Sequence, residues 1–230
     1  MKKLMFMAMM AVVATSASAQ DIKAILKAKT YSEAETMIKS SLSSLDNADK
    51  AKAYNKLVQL SVEKINKEQE ILSNNALAVQ LKQDKVEPYD TVGYNKAICT
   101  AVQDAMECDK YDNMPNAKGK ISPKFHKANQ EKLWNLRLNL INAGQDAANA
   151  NKMDEAALYY GVYVESSSNA LFADRDKEKF PDQYVGQVAR VASVLAFQNK
   201  NIELANKYCD VAMEDAETYN DALDLKMYLM

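Results

Sequence analysis

Apolar residues recur every three to four positions along most of this chain, the spacing that lines one face of a helix. Thr30-Tyr31-Ser32-Glu33 reads as a capping box and predicts a helix to about Leu45, preceded by a short helix over Asp21–Ala28. Asn47–Asp49 turns the chain into a predicted helix over about 49–65, carrying Tyr54, Leu57, Val58, Leu60, Val62 and Ile65. A second follows over about 68–84 and stops ahead of Pro88, because the residue before a proline is pushed out of the helical region. Asp90 is the expected cap of the next helix, which runs to about Cys108. Residues 109–122 (DKYDNMPNAKGKIS) hold Pro115 and Gly119, with Pro123 just beyond, and read as a loop. Ser122-Pro123 then predicts a long helix to about Ala148 that includes the only tryptophan, Trp134. Helices over 153–166, 182–198, 202–216 and from 219 onward complete the series, and 167–181 is a second long loop. No run of five or more residues alternates as a strand does, so the expected fold class is all-α.

Part of this pattern is stated twice, 49 residues apart. Residues 140–165 (LINAGQDAANANKMDEAALYYGVYVE) and 189–214 (ARVASVLAFQNKNIELANKYCDVAME) share Ala143/Ala192, Ala147/Ala196, Ala156/Ala205, Tyr159/Tyr208, Val162/Val211 and Glu165/Glu214. Gly144 pairs with Ser193, and Met153 with Ile202. Small residues at fixed helical positions, on either side of a polar Asn/Lys break, describe two closely packed helices forming a hairpin. Hairpins repeated along a chain stack into scaffolds whose usual business is binding.

The doubled segment resembles the tetratricopeptide repeat, a 34-residue helix hairpin. One copy places Leu140, Gly144, Ala147, Ala156, Tyr160 and Tyr163 at repeat positions 4, 8, 11, 20, 24 and 27, and the other places Ala189, Ser193, Ala196, Ala205, Cys209 and Ala212 there. Tyr163 stands where the family prefers alanine, and Ser168 and Glu217 stand where it often has proline. A half-match occurs at Tyr31–Ala34, with Ala34 and Ile38 at positions 20 and 24. The resemblance implies an irregular α-solenoid of antiparallel hairpins, with divergent hairpins over 20–108, the loop over 109–122, and repeat-like hairpins over 123–230 of which the last is incomplete. It also implies a concave groove lined by the first helix of each hairpin. Carried over by position, that groove holds Leu138, Ile141, Gln145 and Ala148 in one copy and Gln187, Arg190, Val194 and Phe197 in the other. Gln145, Gln187, Arg190 and Phe197 are the expected peptide-binding residues.

The start of the chain carries an address. Lys2 and Lys3 precede an apolar run, Leu4–Ala14, and Ala17-Ser18-Ala19 supplies the small residues a signal peptidase reads, so cleavage before Gln20 is expected. The run is too short to span a bilayer. Export to the periplasm follows, with secretion beyond it as the alternative. Cleavage would move the net charge from −2 to −4, spread along the chain, which offers no field for a polyanion and makes nucleic acid a poor partner. Five glycines and four prolines in 230 residues suit long helices.

Chemistry is sparse. His126 is the only histidine, so a triad has one place to find its base and a histidine-rich metal site is excluded by count. The acidic stretches at 109–113 and 174–178 lack the glycine and glutamate that a calcium loop needs. No glycine-rich phosphate loop occurs. The expectation is therefore a protein with no catalysis, no cofactor and no metal. Cys99, Cys108 and Cys209 read as small buried residues, with a bridge from Cys209 to one of the others as the sharper alternative. Cys99 and Cys108 fall on opposite sides of one helix and cannot bridge each other.

The last residues, Tyr219–Met230, crowd Leu223, Leu225, Met227, Tyr228, Leu229 and Met230 into a helix with no polar closing face. This helix docks back on the array, pairs with another copy, or belongs to a longer array of which the sequence is a fragment, and the last is the favoured expectation. Leu223, Met227, Tyr228 and Met230 are the expected self-association residues. The function expected is an exported scaffold of the bacterial cell envelope that binds a protein or peptide. A self-assembling envelope module using the terminal helix, or an accessory protein of nutrient uptake, are the alternatives.

Overall fold

The computed structural model of the chain describes residues 20–83, 86–175 and 178–229. The expected signal peptide over 1–19 and the self-association residue Met230 lie outside them. Every regular element among the described residues is a helix, as the sequence pattern requires. No helix among them is long and apolar enough to cross a membrane. The chain divides into two compact units after Asn129.

In the first unit, α1 (20–27) and α2 (Tyr31–Ser41) bury Ile22, Ile25, Ala28, Ala34 and Ile38 together with Ala53, Leu57 and Leu60 of α3. The Thr30 hydroxyl accepts the Glu33 N–H, as a capping box requires, while the Glu33 carboxylate accepts from Lys29 N–H. α3 (Asn47–Gln80) is one helix of 34 residues, not the two expected over 49–65 and 68–84. Nothing in Ile65-Asn66-Lys67-Glu68 breaks a helix, and the continuation has a task. The buried Glu68 carboxylate accepts the Asp90 N–H at 3.0 Å and holds Lys64 Nζ at 2.7 Å, fixing the entry to α4. α4 (Thr91–Asp112) is capped by Asp90, whose carboxylate accepts the Gly93 N–H at 2.8 Å. It packs antiparallel along α3, burying Ile98, Ala101, Val102 and Ala105.

The expected loop at 109–122 starts later, because α4 continues to Asp112. Ser122-Pro123 does not open the next helix. The Asp112 carboxylate instead accepts the Lys124 and Phe125 N–H groups at 2.6 and 2.7 Å, and α5 (His126–Trp134) begins after them. A carboxylate is a stronger acceptor for helix-start amides than a serine hydroxyl. The long helix expected to Ala148 is also interrupted. A single 3₁₀ turn at Leu136–Leu138 separates α5 from α6 (Asn139–Asn149) and coincides with a fully buried arginine, Arg137.

The second unit is built on two antiparallel hairpins. α6 pairs with α7 (Met153–Ser168), and α9 (Val185–Gln198) pairs with α10 (Ile202–Ala212). α8 (Ala170–Ala173) lies within the expected 167–181 loop and buries Leu171 and Phe172. α7 packs against α9, and α11 (Tyr219–Leu229) packs against α10 and α9. α9 starts three residues later than expected, Asp182 being held in a side-chain network described below.

The 49-residue offset reappears in the backbone. Asn151 and Lys200, 49 apart, both take left-handed φ values, 58° and 60°. Behind each, the next N–H bonds back across the helix end, Lys152 to Ala147 O at 2.8 Å and Asn201 to Ala196 O at 2.9 Å. Both hairpins therefore turn by the same closure. Their interiors correspond too. A Cβ on Gly144 would meet the Tyr160 ring at 2.5 Å, whereas in the second hairpin Ser193 lies within hydrogen-bonding reach of the Cys209 thiol. The two hairpins divide one space differently, nothing plus a ring in the first and a hydroxyl plus a thiol in the second.

That division is testable. Gly144→Ser alone is expected to cost about 1–3 kcal/mol by overpacking, and Tyr160→Cys alone about 3 kcal/mol through the cavity it leaves. The double variant should recover at least about 1 kcal/mol relative to their sum. Urea denaturation of the four proteins checks this, and strictly additive costs would show that the two positions do not share the space.

Candidate functional site

The four residues expected to bind a peptide are not presented alike. Gln145 is exposed on α6, and its amide donates to Asn149 on the same helix at 3.0 Å. Gln187, Arg190 and Phe197 lie along α9, and each meets the last segment of the chain. The Gln187 amide donates to Glu217 at 3.4 Å, Arg190 Nη1 stands 3.4 Å from the Asp221 carboxylate, and the Phe197 ring meets Tyr228 edge-on with centroids 5.5 Å apart. So the expected binding residues of α9 and the expected self-association residue Tyr228 form one continuous surface. Gln145 is joined to that surface by no hydrogen bond, ion pair or ring contact among the described residues.

Sequence spacing explains why α9 faces this way. Gly186, Ala189, Ala192, Ser193 and Ala196 are the small residues that its inner faces bury against α7 and α10. Arg190, Val191 and Val194 fall on the opposite side, and both valines remain exposed. On α11, Ala222 is buried, Leu223 half-buried, and Met227 and Tyr228 are exposed by 57 % and 75 %. The terminal helix packs against α10 and α9, as a helix docked back and the next helix of a longer array would both do.

The second unit has a polar centre that no sequence motif marks. Arg137 is fully buried, with its guanidinium carbon 4.4 Å from the Trp134 ring centroid, 4.8 Å from that of Tyr163 and 5.4 Å from that of Phe172. Its Nη1 donates to Ser166 Oγ at 2.9 Å and to Tyr163 O at 3.3 Å. Its Nη2 is ion-paired with Asp182, which also accepts from the Tyr163 hydroxyl. Burial pulls the guanidinium down to about 10. Arg175 stacks 4.8 Å from the Trp134 centroid and 4.1 Å from that of Phe180. The one available signal was an arginine inside an apolar run, Leu136-Arg137-Leu138, which argues for a buried partner that sequence spacing does not identify.

In the first unit, His126 Nδ1 lies 2.6 Å from the buried Asp109 carboxylate, tying the start of α5 to the end of α4. The three cysteines are free and buried. Burial pushes the Cys99 thiol up to about 12 and the Cys108 and Cys209 thiols up as well, so none is poised as a thiolate at neutral pH. Among the described residues no group of three or more His, Cys, Asp or Glu is placed to hold a metal ion.

What the residues assemble is a mixed apolar and charged helix face on α9 and α11 and, elsewhere in the same unit, a buried arginine caged by aromatic rings. The chain matches no protein-family model, no curated protein and no solved structure.

Proposed function

We propose that the chain is an exported, non-catalytic scaffold of the bacterial cell envelope, an irregular tetratricopeptide-like array that holds a protein or peptide on the outer face of α9 and α11. The observation that supports this reading is the pairing of Gly144/Tyr160 and Ser193/Cys209 in equivalent space. The two hairpins that hold them close alike at Asn151 and Lys200, by a helix end that α3 also uses at Lys82. Stacked hairpins leave the outer side of each first helix free for a ligand. On α9 that side offers Val191 and Val194 for apolar side chains, with Gln187 and Arg190 for backbone and carboxylate groups. The pair between Arg190 and Asp221 is exposed and is worth less than about 1 kcal/mol, so a ligand carboxylate displaces it at small cost. Export rests on Lys2-Lys3, the apolar run after them and Ala17-Ser18-Ala19.

Selection from a displayed random-peptide library tests the face. Enriched peptides should carry an acidic residue beside apolar ones and lose about tenfold in affinity on Arg190→Glu. Val194→Lys should weaken the same peptides. Selection of identical peptides at unchanged affinity by both variants would reject the reading.

Self-association through α11 is a second reading, favoured by the exposure of Met227 and Tyr228 beside half-buried Leu223. Light scattering on the wild type and on Met227→Lys/Tyr228→Lys decides it. A monomer in both removes the idea.

A further inference from the structure

The first unit contains a cleft that the scaffold reading does not use. It lies between Tyr31 of α2, the middle of α3 and the first turns of α4, and has a volume of about 170 Å³. Its walls are Leu60, Ser61 and Lys64 of α3, Gly93, Lys96, Ala97 and Thr100 of α4, and Tyr31. A cavity on the order of 150 Å³ takes up a six-carbon ring, which sets the scale of an occupant.

The polar atoms around the floor already have partners. The Ser61 and Thr100 hydroxyls lie 3.1 Å apart, and Thr100 also donates to the carbonyls of Lys96 and Ala97 at 3.1 and 3.2 Å. The Tyr31 hydroxyl donates to the Asp104 carboxylate at 2.9 Å. What remains on the floor is apolar, from Leu60, Ala97 and the Tyr31 ring. Two lysines, Lys64 and Lys96, stand at the rim. Lys64 is shared between Glu68 at 2.7 Å and Asp90 at 2.8 Å. Lys96 is exposed and forms no ion pair among the described residues. Charge at the rim is balanced, Lys64 and Lys96 against Glu68 and Asp90. The Lys96 ammonium, without an ion-pair partner among the described residues, still stands at the mouth of an apolar cleft whose hydroxyl protons are donated within the protein.

We infer that this cleft between Tyr31, α3 and α4 binds a small aliphatic carboxylate, its tail of about six carbons lying on Leu60 and Ala97 and its carboxylate on Lys96. An alcohol of the same length gains the apolar contact but not the charge. Acetate gains the charge but not the contact. A polar sugar or amide would find no unspent hydroxyl proton on the floor, since Tyr31, Ser61 and Thr100 each donate within the protein. Each methylene adds to the apolar term, so tail length as well as charge governs affinity.

Hexanoate titrated into the full chain with labelled Ala, Leu and Ile methyl groups tests this. The Leu60 and Ala97 methyl resonances should shift saturably with hexanoate, less with hexan-1-ol at equal concentration, and not with acetate. Lys96→Glu, at an exposed position, should weaken hexanoate about fivefold and leave hexan-1-ol unchanged. Ala97→Leu, which fills the floor, should abolish both, with its other methyl shifts reporting that the fold is kept. Equal hexanoate affinity in wild type and Lys96→Glu would overturn the proposal. So would saturable shifts from acetate, or the absence of shifts at Leu60 and Ala97.

Discussion

Replacing Arg137 with alanine is expected to destabilise the second unit by on the order of 3–5 kcal/mol, the cost of breaking a buried ion pair by removing one partner. Three losses combine. The Asp182 carboxylate, largely buried, keeps only the Tyr163 hydroxyl. Ser166 Oγ and Tyr163 O lose their shared donor. The space among Trp134, Tyr163 and Phe172 empties. Lysine keeps the charge but lacks the planar fork that stacks on the rings while reaching both Asp182 and Ser166, so Arg137→Lys should recover less than half of the loss. Trp134 borders the guanidinium and is the chain's only tryptophan, so its fluorescence reports urea unfolding of this unit directly. Arg137→Met combined with Asp182→Asn removes both charges and should regain most of the stability. An unaltered unfolding midpoint in Arg137→Ala would show that the cage contributes nothing.

Asp104→Asn is expected to stabilise the first unit by on the order of 2–4 kcal/mol at pH 8 and to change little at pH 4. Burial raises the Asp104 carboxyl to about 7, the neighbouring Glu35 and Glu107 add to the rise, and the Tyr31 hydroxyl opposes it. The unfolded carboxyl titrates near 3.9. Below about pH 4 both states hold the proton and Asp104 contributes no slope. Between about pH 4 and 7 the folded state keeps a proton the unfolded state has released, so stability falls as pH rises. Above about pH 7 the full cost of burying the charge is present. Asparagine removes the titration and still accepts the Tyr31 hydroxyl through its carbonyl. Denaturation followed by circular dichroism from pH 4 to 8 gives the difference curve. A wild type and variant that stay parallel across that range would place the titration elsewhere.

The sequence made most helices legible because their signals are local. Thr30, Asp90 and the Asn/Lys breaks near 150 and 200 act within a few residues, and the structure uses each of them. The misses share a cause: the deciding partner lies far along the chain. Nothing near Ser122 says that Asp112 will take the amides of Lys124 and Phe125. Nothing between Ile65 and Glu68 says that Glu68 will receive the amide of Asp90, 22 residues on. Leu136-Arg137-Leu138 conceals a cage whose other members come from 134, 163, 172 and 182. For the candidate site, repeat geometry assigned Gln187, Arg190 and Phe197 to a concave groove; in the structure they share one side of α9, which meets residues 217–228. The contact of that face with 217–228 depends on how α11 packs against α9, and packing direction is not written in periodicity.

The two hairpin turns carry a consequence for how this repeat tolerates divergence. Asn151 and Lys200 share a left-handed conformation although neither is glycine, and the bond that closes each turn is made by main-chain atoms alone. The left-handed state costs a non-glycine residue only about 1–2 kcal/mol. A substitution at either turn residue therefore leaves the closing main-chain bond in place. The interior pairs are bound to each other by volume, since bulk added at 144 must be withdrawn at 160. Kinship between two such hairpins is better traced by conserved volume across facing positions than by conserved letters along the chain.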